Sequence, residues 1–177
     1  MTTPFAQLKT SGLPYGWTTI LVGWRGVGTY YRLVSSAEVV SYADDQLNTV
    51  SDDTFGIVFE LSQSNSNDFD IINSSLENLA SAAPEDRKDA ERIWQIILLK
   101  HILLDLTGDP IDGLTQLSGF WAEFDYPVDS PHTIQGRNNM ISPHDYYKED
   151  NFKQTLAKHL QWIDNEAKRM KSKHTSL

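Results

Sequence analysis

The chain has 177 residues, a formal net charge of -9 and no cysteine. A chain of this length can bury one stable core, so we predict a single globular domain over residues 1–177, frayed at 1–12 and 172–177. The lack of cysteine excludes disulfides, thiolate zinc sites and cysteine nucleophiles, and it is typical of a cytoplasmic protein. No secretory signal pattern and no membrane-spanning apolar run is present, so we expect no membrane partner.

The first element, within residues 14–34, allows two interpretations. Pro14 suits the start of a short helix that ends in the segment Gly23–Gly28. Alternatively, Trp17–Trp24 and Thr29–Val34 form two strands of a minor β-hairpin. We favour the helix and keep the hairpin as the alternative.

The next two elements begin at serines. Ser35 and Glu38 have the spacing of a capping box, which predicts a helix through Leu47. Ser51 begins a second segment, and helical spacing places Phe55, Val58, Phe59 and Ser62 on one face. The alternation of Phe55, Ile57, Phe59 and Leu61 equally fits a strand, so residues 54–61 remain open.

The remaining pattern predicts four more helices and one long loop. A helix runs from Asn67 or Asp68 to about Ala82, and another opens at Pro84, with Ile93–Leu106 as the most buried part. The others cover Ile111–Glu123 and the segment after Ser142, separated by the irregular loop 124–142. The apolar stripe of the helix that opens at Pro84 extends through Ile93, Ile96, Ile97, Lys100, Leu103 and Leu104. We therefore predict an all-α, single-domain bundle of about six or seven helices, with at most a minor β-hairpin near the N-terminus.

Catalytic motifs are weak. Gly26 and Gly28 lack the rest of a phosphate-binding loop, and no nucleophile elbow occurs. The five histidines form no pair at metal-binding helical spacing. Only Asp129, His132, His144 and Asp145 offer residue types for a general base or a metal site, and their spacing does not require convergence. We predict no enzymatic activity, no catalytic residue, no metal and no cofactor.

Acidic residues are segregated along the chain. No Lys or Arg occurs between Leu33 and Asp86, whereas residues 148–177 hold six Lys and one Arg. Such an acidic region repels nucleic-acid phosphates and attracts basic proteins. A basic protein partner is therefore expected, and the predicted contacts are Asp44, Asp45, Asp52, Asp53, Asp68 and Asp70. The alternative is a solvated acidic surface in which some of these carboxylates only cap helices.

The segment Phe120–Pro127, with its Phe124-Asp125-Tyr126-Pro127 element, is the most distinctive in the chain. Together with the helix Ser36–Leu47, it resembles an uncharacterised family of small acidic bacterial proteins that look like immunity proteins of polymorphic-toxin and contact-dependent growth inhibition systems. The resemblance implies a cytoplasmic protein that binds and neutralises the C-terminal domain of a cognate toxin, for example a basic nuclease. The alternatives are a non-enzymatic adaptor of another pathway and an enzyme that uses the 124–145 loop.

Overall fold

The protein is all-α in the part of the chain that the structure describes. A computed structural model describes residues 2–175, which contain nine helices and no strand. The helices are α1 (Pro4–Thr10), α2 (Trp17–Arg25), α3 (Ser36–Gln46), α4 (Asp52–Ser62), α5 (Phe69–Ala82), α6 (Arg87–Asp105), α7 (Pro110–Ala122), α8 (Pro143–Tyr146) and α9 (Glu149–Thr175). The prediction of an all-α fold is confirmed.

Helix α1 lies where the sequence predicted no helix, and the helix predicted after Ser142 is divided into α8 and α9. The Thr3 hydroxyl accepts a hydrogen bond from the backbone N–H of Ala6, which caps α1, and Phe5 and Leu8 are buried. Residues 4–10 are therefore a packed helix rather than a frayed end. The single turn α8 is separate from α9, which continues to Thr175 through most of the other segment that we expected to fray. Met1 and residues 176–177 lie outside the described residues.

The alternative of a minor β-hairpin near the N-terminus is not borne out, and the favoured helix is present. Residues Trp17–Arg25 are helical, and only one antiparallel bridge, between Val27 and Tyr30, closes the following turn. The chain does not continue as a strand because the backbone N–H of Leu33 donates to the carbonyl of Gly23, 2.8 Å away, at the end of α2. The segment after this turn therefore forms its backbone hydrogen bonds with the end of α2 and not with a neighbouring strand.

The chain folds into two compact units, one up to Ile97 and one from Leu98. In the first unit, the indole Nε1–H of Trp94 donates to the carbonyl of Thr19 at 2.8 Å. The Trp94 ring lies against Gly23, where any side chain would collide with it. In the second unit, Leu114, Tyr146 and Phe152 form a core cluster. The single folded domain remains a prediction.

Helix α6 begins and ends differently from the predicted helix. It starts at Arg87 because the Asp86 carboxylate accepts hydrogen bonds from the backbone N–H groups of Lys88 and Asp89. Its middle is buried, as predicted, at positions that include Ile96 and Ile97. Leu104 is 78% exposed, so the predicted extension of the apolar stripe into the last turn is wrong.

Truncating a side chain to alanine should have a large effect in the buried middle of α6 and a small effect at its exposed end. Ile97→Ala should lower the free energy of unfolding by ~2–5 kcal/mol, because it removes buried methyl groups and leaves a cavity. Leu104→Ala should change it by less than about 0.5 kcal/mol, since that side chain is already in water. Urea denaturation of both variants measures the difference, and equal losses would contradict the burial assigned to α6.

Candidate interaction surface

The six predicted contact residues all lie on or next to three consecutive helices of the first unit. Asp44 and Asp45 are in the last turn of α3, Asp52 and Asp53 are in the first turn of α4, and Asp68 and Asp70 flank the start of α5. Helix α4 packs against both α3 and α5. The structure therefore places the predicted residues on neighbouring elements.

Two of the six carboxylates have structural partners. Asp45 forms an ion pair with Lys9, with Nζ and Oδ2 3.4 Å apart. The half-buried Asp68 accepts a hydrogen bond of 2.8 Å from the backbone N–H of Asn65, which closes the turn before α5. These two carboxylates therefore have partners within the fold, as the alternative interpretation expects for some of the acidic residues.

Other carboxylates of the acidic region are also structural. Glu38 closes the predicted capping box, accepting from the backbone N–H of Ser35 at 2.8 Å. Glu85 accepts from the backbone N–H of Thr18 at 2.7 Å, at the start of α2, and Glu77 pairs with Arg25. The acidity of residues 33–86 is thus partly a set of helix caps and ion pairs.

Within the acidic region, residues 33–86, five carboxylates are exposed and have neither a hydrogen bond nor an ion pair with a described residue. Four of them are predicted contacts, and the fifth, Glu60, was not predicted. They are Asp44, Asp52, Asp53, Glu60 and Asp70. We call this set the free acidic residues. Because no described cation neutralises them, their field extends into solvent and favours the approach of a positively charged surface.

The outer side of α4 also carries aromatic rings. Phe55 is 46% exposed and Phe59 is 50% exposed, and their ring centroids are 6.1 Å apart with an angle of 17° between the rings. Val58, which helical spacing grouped with the two rings on one face, is buried with Leu61, whereas both rings are exposed. We define the α4 face by the exposed residues of the helix, which are Asp52, Asp53, Phe55, Gly56, Phe59 and Glu60.

A groove lies beside one of the free acidic residues. It encloses about 620 Å³, and α3 contributes Val40, Ser41 and Asp44 to its lining. The opposite wall comes from the end of α4 and the following turn, including Ser62 and Asn65. Asp44 therefore borders a concave surface that a protruding side chain of a partner can enter.

The structure places two of the alternative catalytic residues, His132 and His144, in different environments. His132 is buried, whereas His144 is exposed on α8. Asp145 instead binds the Ser142 hydroxyl and the Lys148 ammonium group, at 2.7 and 2.6 Å. Within residues 2–175, no three metal-ligating side chains of the His, Cys, Asp and Glu types come together.

His132 lies beside a second buried histidine, His159, and their ring centroids are 5.6 Å apart. The indole Nε1–H of Trp121 donates to Nε2 of His159 at 2.8 Å, so Nε2 carries no proton. Nδ1–H of His159 then donates to the carbonyl of Thr155 at 2.7 Å. These two hydrogen bonds fix a neutral imidazole, which suits a core position better than proton exchange with solvent.

Burial also disfavours the charged form of both rings. Burial, reinforced by neighbouring His159, lowers the pKa of His132 to about 4. Burial likewise lowers the pKa of His159 to about 4, although the hydrogen bond with Thr155 opposes the shift. The pair is therefore neutral near neutral pH and becomes a source of instability only in acid.

The Phe124–Pro127 element forms a turn after α7. Asp125 and Tyr126 both have left-handed backbone angles, with φ of 53° and 46°. The backbone N–H of Tyr126 donates to the carbonyl of Trp121 at 3.0 Å, and its hydroxyl donates to the carbonyl of Ser118 at 3.1 Å. The most distinctive sequence element is thus the turn that ends α7, and Tyr126 holds this turn against the helix by two hydrogen bonds.

The histidine pair predicts a specific pH dependence. Both pKa values are lower in the folded chain than the ordinary value of 6.5, so the unfolded chain binds more protons below that pH. The free energy of unfolding should fall as the pH is lowered from about 7 to 4, by at most roughly 1 kcal/mol per pH unit for each histidine, and this loss should be absent at higher pH.

His159→Gln removes one titrating ring and keeps an acceptor for Trp121. Urea denaturation across this pH range should show a shallower loss for His159→Gln than for the unsubstituted chain. His174→Gln, at an exposed position near the end of α9, serves as the control. If all three proteins lose stability with the same slope, buried His159 is not a source of the acid sensitivity.

Among the described residues, no helix has both the length and the apolar character needed to cross a membrane.

Comparison with known proteins gives a family and no function. No curated protein and no solved structure matches the chain. Residues 5–167 match a family described as uncharacterised proteins conserved in bacteria, DUF2247. The match covers almost all of the chain, and the protein therefore belongs to this bacterial family.

Proposed function

We propose that this chain is an immunity protein, which binds the C-terminal domain of a cognate bacterial toxin and neutralises it. The observation that carries the proposal is the set of free acidic residues, Asp44, Asp52, Asp53, Glu60 and Asp70, on three adjacent helices. No basic residue of the segment 33–86 offsets them, because that segment has none. The surface suits a basic protein and does not suit a polyanion.

A toxin that degrades nucleic acid is a partner with the required charge. Its active site has to be positive because its substrate carries a negative charge at every phosphate. An acidic surface accelerates association with such a site and can occupy the place of the substrate. Membership of a bacterial family is compatible with this role, and the exposed phenylalanines of α4 supply apolar area for an interface.

The direct experiment uses the genes next to that of this chain. The C-terminal domain of a large secreted protein encoded beside it should stop growth when expressed inside bacteria, and co-expression of this chain should restore growth. Purified, the two proteins should form a complex whose association slows as salt is added. If this chain forms the complex but does not restore growth, it is an adaptor. If no complex forms, the proposal fails.

Charge reversal on the free acidic residues tests the surface itself. Asp44 and Glu60 lie in the last turns of α3 and α4, where lysine is favoured by the helix dipole, so their reversal should not unfold the chain. The double variant Asp44→Lys/Glu60→Lys should slow association with the toxin domain by about tenfold at low salt and flatten its salt dependence. Stopped-flow fluorescence measures both effects.

Asp164→Lys is the matched control, because Asp164 is exposed on α9 in the second unit and has no described partner. It should leave the association rate nearly unchanged. If Asp164→Lys, which reverses one charge, lowers the logarithm of the association rate by half as much as the double variant, which reverses two, only net charge matters. An unchanged rate in the folded double variant would move the interface away from α3 and α4.

A further inference from the structure

Gly56 occupies a position in α4 for which the chain's own packing gives no reason. It lies inside the helix, and a Cβ added there would meet no atom within 4 Å. Glycine in a helix interior is less stable than alanine, because it loses more backbone freedom on folding. Gly23 and Gly113, by contrast, lie against Trp94 and Phe152, so packing explains them. Gly56 leaves bare backbone on the exposed α4 face.

The neighbours of Gly56 on the helix surface are aromatic or acidic. Residues three and four positions away share its face, and these are Asp52, Asp53, Phe59 and Glu60. Phe55 adds the second exposed ring, nearly parallel to that of Phe59. The bare backbone is therefore bordered by two half-exposed phenylalanines and three carboxylates without a described partner.

We propose that the α4 face binds an arginine side chain of a basic protein partner, with its guanidinium group over Gly56 and against the phenylalanine rings. The inference rests on the proposed function and names the residue type that the surface recognises. Asp52, Asp53 and Glu60 supply acceptors for the guanidinium N–H groups, and Gly56 leaves room for the stem of the side chain. The carboxylates favour a positively charged side chain, and the phenylalanine rings favour a guanidinium group as the carrier of that charge.

The surface suits arginine better than lysine. A guanidinium group is planar and weakly hydrated, so it stacks on an aromatic ring and still presents its N–H groups to carboxylates at its edge. A lysine ammonium group is compact and strongly hydrated, which makes the same desolvation less favourable. The chain shows this stacking elsewhere, because the guanidinium carbon of Arg32 lies 4.4 Å from the ring centroid of Phe69 and 4.9 Å from that of Trp24.

The test uses two probes of equal charge, octa-arginine and octa-lysine peptides, with the full-length chain. Calorimetry should show tighter binding of octa-arginine by about two- to fivefold, the size expected for an exposed cation–π contact. Amide chemical shifts should change most along α4 when octa-arginine is added. Equal affinities, or shifts spread evenly over all free acidic residues, would overturn the inference.

Gly56→Gln is the decisive variant, because it fills the space over α4 with an uncharged side chain that favours helix. It should raise the melting temperature and reduce octa-arginine binding to the level of octa-lysine. Gly119→Gln is the matched control, since Gly119 is exposed within α7 and also has no atom within 4 Å of an added Cβ. It should raise the melting temperature without changing the preference for arginine.

Phe55→Ala and Phe59→Ala separate this inference from the proposed function. Both should remove the preference for octa-arginine, while the remaining carboxylates still attract both peptides. If these variants and Gly56→Gln keep the preference, the inference is wrong even where Asp44→Lys/Glu60→Lys still slows association with the toxin domain. If these variants lose the preference for octa-arginine, the inferred arginine site is supported. If the unsubstituted chain also fails to restore growth, the proposed function fails while the arginine site is retained.

Discussion

The first unit depends on the burial of Trp94 against α2. The ring is fully buried beside Gly23, and its only polar atom is satisfied by the carbonyl of Thr19. A buried indole N–H without a partner would cost about 1–3 kcal/mol, so the hydrogen bond makes this position of the ring specific. Because α2 in turn packs against α3 and α5, the contact also supports the helices that carry the free acidic residues.

Helix α4 has one side that serves the fold and one side that does not. Val58 and Leu61 are fully buried, whereas the α4 face carries side chains and a glycine that the unit itself does not use. Exposed aromatic residues within a ring of charges are typical of interaction sites and are costly to maintain on an unoccupied surface. The combination of acidity, exposed rings and an unexplained glycine is what favours a protein partner over a merely solvated surface.

The sequence predicted what depends on local chemistry. The capping box of Ser35 and Glu38 and the helical class of nearly every element follow from contacts within a few residues. The exposure of Phe55 and Phe59 was not predictable, because helix and strand spacing both fitted residues 54–61 and neither showed which side of the segment faces solvent. The partners of Asp45, Glu77 and Glu85 were hidden as well, since each lies 36 or more residues away in the chain. Because these long-range pairings decide which carboxylates are structural and which are free, the sequence alone did not show the difference.

The central claim is that the acidic helices α3 to α5 form the surface that binds a basic toxin domain. Amide hydrogen exchange of this chain, measured with and without the toxin domain encoded beside its gene, tests the claim most directly. We expect slowed exchange in residues 44–70 of the complex, with the largest effect along α4. Protection confined to the 124–142 loop, with residues 44–70 exchanging as in the free chain, would contradict the claim.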